Sequence, residues 1–197
     1  MSELLLLSGG IDSIAVAAWK KPSLCLTVDY GQRAASAEIH ASAQVCKALG
    51  LRHEVLSASI SSLAAGDMSR HAASQHSPHS EFWPYRNQYL ATLASMCAIK
   101  HGCDTVLIGS VSTDSRHKDG TLHFVEGMDA LLRWQEGGVR FVAPAISMTS
   151  GQLVRESSIE SSILAWAHSC HVGELACGRC RGCEKHSEVM QSLGFQR

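Results

Sequence analysis

Two short stretches of this chain hold residues whose types and spacing can do chemistry. The first is Ser8-Gly9-Gly10-Ile11-Asp12-Ser13, which follows the apolar run Leu4–Leu7 directly. Glycines let a backbone approach a ligand closely and take dihedrals that other residues avoid. A helix starting just beyond them offers unpaired N–H groups and the positive end of its dipole. Ser8 and Ser13 add hydroxyl donors, so the stretch is suited to a polyphosphate. No Gly-Lys-Ser/Thr follows, so it is not a Walker A loop and the phosphate chemistry is of another kind. The bland alternative is a tight strand–helix turn with a Ser or Asp cap. Asp12 can cap a helix and serve a ligand at once.

The second stretch is Cys170-x6-Cys177-Gly-Arg-Cys180-Arg-Gly-Cys183. Four thiolates at this spacing suit tetrahedral Zn²⁺ with no open position, which makes the site structural. Gly178 and Gly182 permit tight turns, and Arg179 and Arg181 offset thiolate charge. An iron–sulfur cluster is the rival, since Cys-x2-Cys-x2-Cys also occurs in ferredoxin-type runs. His168 and His171 flank Cys170 and could substitute as ligands, although four cysteines already complete a set. Cys25, Cys46, Cys97 and Cys103 lie scattered in apolar segments and read as small buried hydrophobes.

These stretches must be positioned by a scaffold, and the sequence spells one out. Leu4–Leu7 reads as a buried strand and Ile14–Trp19 as a helix. Further strands are expected at Ser23–Tyr30, His53–Ser57, Asp104–Ser110 and Val139–Pro144. Helices are expected around Ile39–Leu49, stopped by Gly50, at Asn87–Gly102, at Leu122–Trp134, and from a Thr149 or Ser150 cap onward. Strands alternating with helices predict an α/β fold, a parallel sheet covered on both faces. Residues 58–83, rich in Ser, Ala and His, show little periodicity and read as a long excursion or lid. Its histidines, His71, His76 and His79, are expected to be solvated. We expect two units: a nucleotide-binding domain over 1–167, and a metal knuckle with a short helix over 168–197.

Composition bounds the function. The 197 residues are 45% hydrophobic and 18% charged, enough for a real core. The net charge of −1 gives no electrostatic case for long nucleic acid. No apolar run is long enough to span a bilayer, and the start lacks a basic region and cleavage site, so a cytoplasmic protein is expected.

The loop Ser8–Ser13 resembles that of the N-type ATP pyrophosphatases, the PP-loop family. The resemblance implies a Rossmann-like PP-loop (adenine nucleotide alpha hydrolase-like) fold. It also implies cleavage of ATP between its α- and β-phosphates and adenylation of a substrate oxygen, with Asp12 orienting the loop or helping to hold Mg²⁺. Val28–Ser57, Pro84–Asn87, Ala143–Thr149 and the closing cysteines are similar, in that order, to the 7-cyano-7-deazaguanine synthase (QueC) family along nearly the whole chain. That resemblance implies a synthase that adenylates 7-carboxy-7-deazaguanine for attack by ammonia and passes through the amide to the nitrile. ATP, Mg²⁺ and Zn²⁺ are the implied cofactors, and a homodimer is expected.

The residues carry these roles as follows. Ser8, Gly9, Gly10, Asp12 and Ser13 would hold phosphates, and Asp29 and Tyr30, at a strand end, would meet the adenosine. Gln32 and Arg33 follow within reach of an anion. Arg86 and Asn87 open a helix after Pro84, with Arg86 a natural anion partner and, with Asp12, the catalytic candidate; Asn87 could instead be an N-cap. Asp114 and Asp119 are candidate acceptors for the ring N–H groups of a deazaguanine. Glu126 and Asp129 match a family pattern of acidic positions, or lie on a solvated helix face.

The chain departs from the family after the fourth strand, where Lys118-Asp119-Gly120 replaces a Pro-Asp-Cys-like stretch. Alternatives therefore remain. One is a paralogue that stops at an amide or conjugates the acid to another amine, such as a protein N-terminus, in a defence setting. Others are a PP-loop tRNA sulfurtransferase and a non-catalytic nucleotide-binding module.

Overall fold

A computed structural model describes residues 2–195. Five strands form one parallel sheet in the order β3-β2-β1-β4-β5: β1 Glu3–Leu6, β2 Leu24–Asp29, β3 His53–Ser57, β4 Thr105–Ile108 and β5 Arg140–Val142. The four leucines explain why β1 sits at the centre. Side chains alternate across a strand. Leu4 and Leu6 therefore enter one buried cluster and Leu5 and Leu7 the other, on opposite faces of the sheet. A strand buried on both faces has to read as an unbroken apolar run.

Helices cover both faces. On one side α1 (Ile11–Lys20), α2 (Ala35–Leu49) and α5 (Ser150–Ser157) pack through Ile14, Val45 and Leu153. On the other lie α3 (Arg86–His101) and α4 (Leu122–Arg133). Ala91, Ala94 and Ala98 form the inner face of α3 and let it approach the sheet closely. α5 starts at a Thr149 capping box with Gln152, so the cap is Thr149. α6 is a single turn at Ser161–Leu164, and α7 spans Arg181–Ser192. Val189 of α7 is buried in the same cluster as β1 and α1, so the last helix leans on the main core.

The excursion between β3 and α3 has little regular structure, as its composition predicts, but Met68 and Trp83 anchor it in the core. Trp83 packs edge-on against Tyr30 at a centroid distance of 5.1 Å. His71 and His76 are exposed, whereas His79 is half-buried against Arg116 and His117. Asp129 accepts from Arg140 and from the backbone of Phe141, stitching α4 to β5, while Glu126 is exposed. Cys25, Cys46 and Cys103 are buried and Cys97 is half-buried. Among the described residues no helix is long and apolar enough to cross a membrane.

Candidate active site

The strand order reverses between β1 and β4, and a doubly wound sheet binds ligands at the strand carboxyl ends beside that reversal. A cavity of about 320 Å³ lies there. Its floor is the Ser8–Ser13 loop, and the two serines shape that loop. Ser13 Oγ donates to the Gly10 carbonyl at 3.0 Å and lies 3.1 Å from Ser8 Oγ. The first turn of α1 has no side-chain cap, and its residues Ile11, Asp12 and Ser13 line the cavity. An uncapped helix start of this kind favours anions.

The two glycines differ in role. Gly9 has φ +72°, and a Cβ there would lie 2.7 Å from the Glu38 carbonyl oxygen. Gly9 is therefore required by the close approach of α2, and it does not line the cavity. Gly10, at φ −77° and ψ 158°, needs no special backbone, and it does line the cavity. Gly109, after β4, is required by contact: a Cβ there would lie 2.9 Å from Ser13 Cα.

The knuckle segment reaches into this site. His168 N–H donates to the Gly9 carbonyl at 2.8 Å, tying the segment to the loop. The sulfurs of Cys170, Cys177, Cys180 and Cys183 all lie within 4.8 Å of one another. Two of the pairs stand at 3.9 and 4.0 Å. A tetrahedron with metal–sulfur bonds of about 2.3 Å places its sulfurs about 3.8 Å apart, so the four fit a single ion. Backbone N–H groups support them: that of Arg179 lowers the Cys177 thiol to about 6, against burial, and that of His171 donates to Cys180 at 3.4 Å. Neither His168 nor His171 belongs to the ligand group. The His168 ring bonds the Gly173 carbonyl, and His171 lines the cavity, where burial and then Arg86 pull its imidazole down to about 4.

The packing then delivers a residue that the sequence reading did not single out. α7 begins beside the knuckle, and a Cβ at Gly182 would overlap the Ser169 carbonyl, so the two segments are in tight contact. Lys185, one turn further on, lies 2.8 Å from Asp12 Oδ2 and 2.6 Å from Asp114 Oδ1. Burial lowers the Lys185 pKa, but the two carboxylates outweigh it and hold the amine charged. Burial raises Asp12 despite Lys185. Asp12 Oδ1 is buried without a well-formed hydrogen bond, and the Ser150 hydroxyl beside Asp12 favours its charged form. An anionic oxygen left open in this way fits a hard cation such as Mg²⁺.

The other expected residues separate into two groups. Tyr30, Arg86, Asn87, Asp114 and Asp119 line the cavity; Asp29, Gln32 and Arg33 do not. Asp29 accepts from Gly31 N–H. Gln32 is buried, accepting from Tyr30 N–H and donating to Val28 and Glu38, so no polar group is left to meet a phosphate. Arg33 is exposed outside the cavity. Asn87 is not an N-cap: it sits second in α3 and donates to the Asp119 carbonyl at 3.1 Å. Asp114 is committed to Lys185 and to Val111 N–H. Asp119 has no charged side-chain partner among the described residues.

Glu38, unremarked in the sequence, also lines the cavity. Burial raises it to about 7, against Gln32 and Arg86. At the rim, Glu81 accepts from His117 at 3.4 Å and pairs with Arg116 at 3.5 Å, which fastens the excursion to the loop after β4.

Fold and site together define a parallel α/β domain of the Rossmann-like PP-loop type, with a phosphate-suited loop at its switch point and a four-cysteine metal group at its C-terminal end. The chain matches the family described as Queuosine biosynthesis protein QueC over residues 2–194, and it belongs to that family. It is similar to the 7-cyano-7-deazaguanine synthase of Methanosarcina mazei, with 25% identity over 100% of this chain and 96% of that one. It is similar also to that of Desulforudis audaxviator, with 28% identity over 100% of both. Among solved structures it resembles the U34-tRNA thiolase NcsA from Methanococcus maripaludis with its 4Fe-4S cluster, at a TM-score of 0.57 and 14% identity. That match covers 98% of this chain but 64% of the thiolase, and it is a likeness of fold alone.

Proposed function

We propose that the protein is an ATP-dependent, AMP-forming 7-cyano-7-deazaguanine synthase. In the first step a carboxylate oxygen of 7-carboxy-7-deazaguanine attacks the α-phosphorus of ATP and pyrophosphate leaves. Ammonia then attacks the acyl carbon and AMP leaves, giving the amide. The amide oxygen then attacks the α-phosphorus of a second ATP, pyrophosphate leaves, and loss of AMP and protons gives the nitrile. Activation is necessary because a carboxylate or amide oxygen is a poor leaving group and an AMP ester is a good one.

One observation carries this reading. A single cavity holds an uncapped helix start beside Ser8 and Ser13, an arginine (Arg86) and an unpaired carboxylate (Asp119). The helix start suits the phosphates, Arg86 suits an anionic substrate, and Asp119 suits the N–H edge of a deazaguanine. Asp12 would hold Mg²⁺, which supplies charge neutralisation for the phosphates. The sulfur spacing in the knuckle supports one Zn²⁺ rather than a multi-iron cluster, whose ligating sulfurs stand further apart. We further propose a cytoplasmic homodimer. Support for the dimer is the apolar outer face of α3 and its neighbours, where Met96, Ile99 and Trp134 are exposed.

The test is mass spectrometry of the products made from 7-carboxy-7-deazaguanine, ATP and ammonia. Nitrile with two AMP per molecule is expected. Amide as the end product would overturn the synthase assignment, and absence of AMP would overturn adenylation altogether.

A further inference from the structure

Four cationic side chains line the cavity: Arg86, Arg116, Arg181 and Lys185. Arg86 is engaged with Met68 and Asn87, Arg116 with Glu81 and His79, and Arg181 with Glu184 and Glu188. Lys185 alone contacts the phosphate loop, through Asp12 in the first turn of α1. Its amine stands in the cavity beside the first turn of α1, and the loop itself has no lysine. The carboxylates of Asp12 and Asp114 stand beside the loop and repel a nucleotide carrying several negative charges. A Mg²⁺ held by Asp12 would offset part of this, and Lys185 adds a fixed positive charge from the far end of the chain.

We propose that Lys185 is a substrate-contacting residue of the adenylation site: it binds the phosphates beyond the α-phosphate, and in the ligand-free protein Asp12 and Asp114 hold it in readiness. The proposal rests on the ATP-dependent reading above. An unbranched four-carbon stem with a compact ammonium suits the task, because it can turn from two carboxylates to a phosphate while its helix stays fixed. The metal knuckle fixes that helix. Cys183 lies in α7 two residues before Lys185, and Gly182 packs against the Ser169 carbonyl. The knuckle thus does more than staple the tail: it sets the origin of the side chain that replaces a Walker lysine.

The experiment is calorimetric titration of the metal-loaded protein with Mg²⁺ and α,β-methylene-ATP, which cannot be cleaved to AMP, and in parallel with AMP. Lys185→Met is expected to weaken the triphosphate analogue by about tenfold to a hundredfold, the loss of a charged hydrogen bond, and AMP by less than about twofold. Lys185→Arg, which keeps the charge, should recover most of the loss. Equal affinity of Lys185→Met and wild type for the analogue overturns the proposal. So does an equal weakening of analogue and AMP, the signature of a purely structural ion pair. Failure of the wild-type protein to bind the analogue would refute the ATP-dependent reading instead. Should Lys185→Met not fold, the structure of the wild-type complex decides: an amine within hydrogen-bond distance of a β- or γ-phosphate oxygen supports the proposal, and one still held by both carboxylates defeats it.

Discussion

Adjacent glycines in one loop are expected to fail in opposite ways when replaced. In Gly9→Ala the new methyl meets the Glu38 carbonyl oxygen at 2.7 Å, on a backbone at φ +72°. The left-handed backbone costs about 1–2 kcal/mol for a residue with a Cβ. Crowding against a backbone atom that cannot swing aside adds about 1–3 kcal/mol. A loss of roughly 2–5 kcal/mol lowers the melting temperature of a domain this size by roughly 4–20 °C.

Gly10→Val should leave the fold alone. Its backbone, at φ −77° and ψ 158°, is extended and comfortable for a β-branched residue. A Cβ there meets Ser8 Oγ at 3.4 Å and the His168 carbonyl at 3.9 Å, which are ordinary contacts. Removing a glycine also lowers the entropy of the unfolded chain, worth about 0.4–1 kcal/mol in favour of the fold. The added methyls, however, stand in the cavity in front of the first turn of α1. Each charge-assisted hydrogen bond they block is worth about 1.5–3 kcal/mol, so losing two lowers turnover by roughly a hundredfold or more. Thermal melting and pyrophosphate release, measured on both variants, check the pair. Wild-type turnover in Gly10→Val, or wild-type melting in Gly9→Ala, would show that the loop is not built as argued.

Three further outcomes are expected. One zinc per chain should appear by elemental analysis, and Cys180→Ser should lose it together with thermal stability; iron with visible absorption would refute the zinc assignment. Asp119→Asn should weaken 7-carboxy-7-deazaguanine by about tenfold with ATP affinity unchanged, while Asp114→Asn, which removes one of the two carboxylates on Lys185, should alter ATP affinity instead; identical behaviour of the two variants in separate titrations would undo the distinction. Glu38 is held protonated by burial, with its pKa raised to about 7, so the folded state binds more protons than the unfolded state between the ordinary carboxyl range and that value. Its contribution to stability is full below pH 4.5 and is lost as pH rises toward 7, a fall on the order of 3 kcal/mol that Glu38→Gln should abolish in denaturant titrations across that window.

Much of the fold was legible because its signals are local. The leucines of β1, the apolar run of β2 and the Gly50 and Gly102 stops of α2 and α3 each state their own structure within a few residues. The sheet type followed from alternation alone. Residues 58–83 read as a long excursion or lid with little periodicity, and their regular structure is sparse. What composition did not carry was its attachment. Trp83 and Met68 reach the core across a sequence gap that no periodicity spans, and an aromatic in a polar loop gives no sign of which element it will pack against.

The site divides along the same line. Ser8, Gly10 and Asp12 are contiguous in sequence and in space, so the phosphate loop reads directly. Gln32 and Arg33 sat beside a strand end and were read as anion ligands, but reach depends on which way a turn faces. Here Gln32 turns inward to hold Tyr30 N–H, the Val28 carbonyl and Glu38, and Arg33 turns out to solvent. Lys185 was illegible for the opposite reason. A lysine in Cys-Glu-Lys-His on a short polar helix reads as solvated, and nothing near it in sequence contradicts that. Its partners, Asp12 and Asp114, lie far back along the chain, the nearer of them 71 residues away. They meet it only because the four sulfurs fold the tail back, the His168 N–H fastens that tail to Gly9, and Gly182 lets α7 press against it. A cysteine cluster is easily read as a staple and set aside. The physical question to ask of it is which side chains lie one helical turn beyond the metal, because those are the ones whose origin the metal fixes.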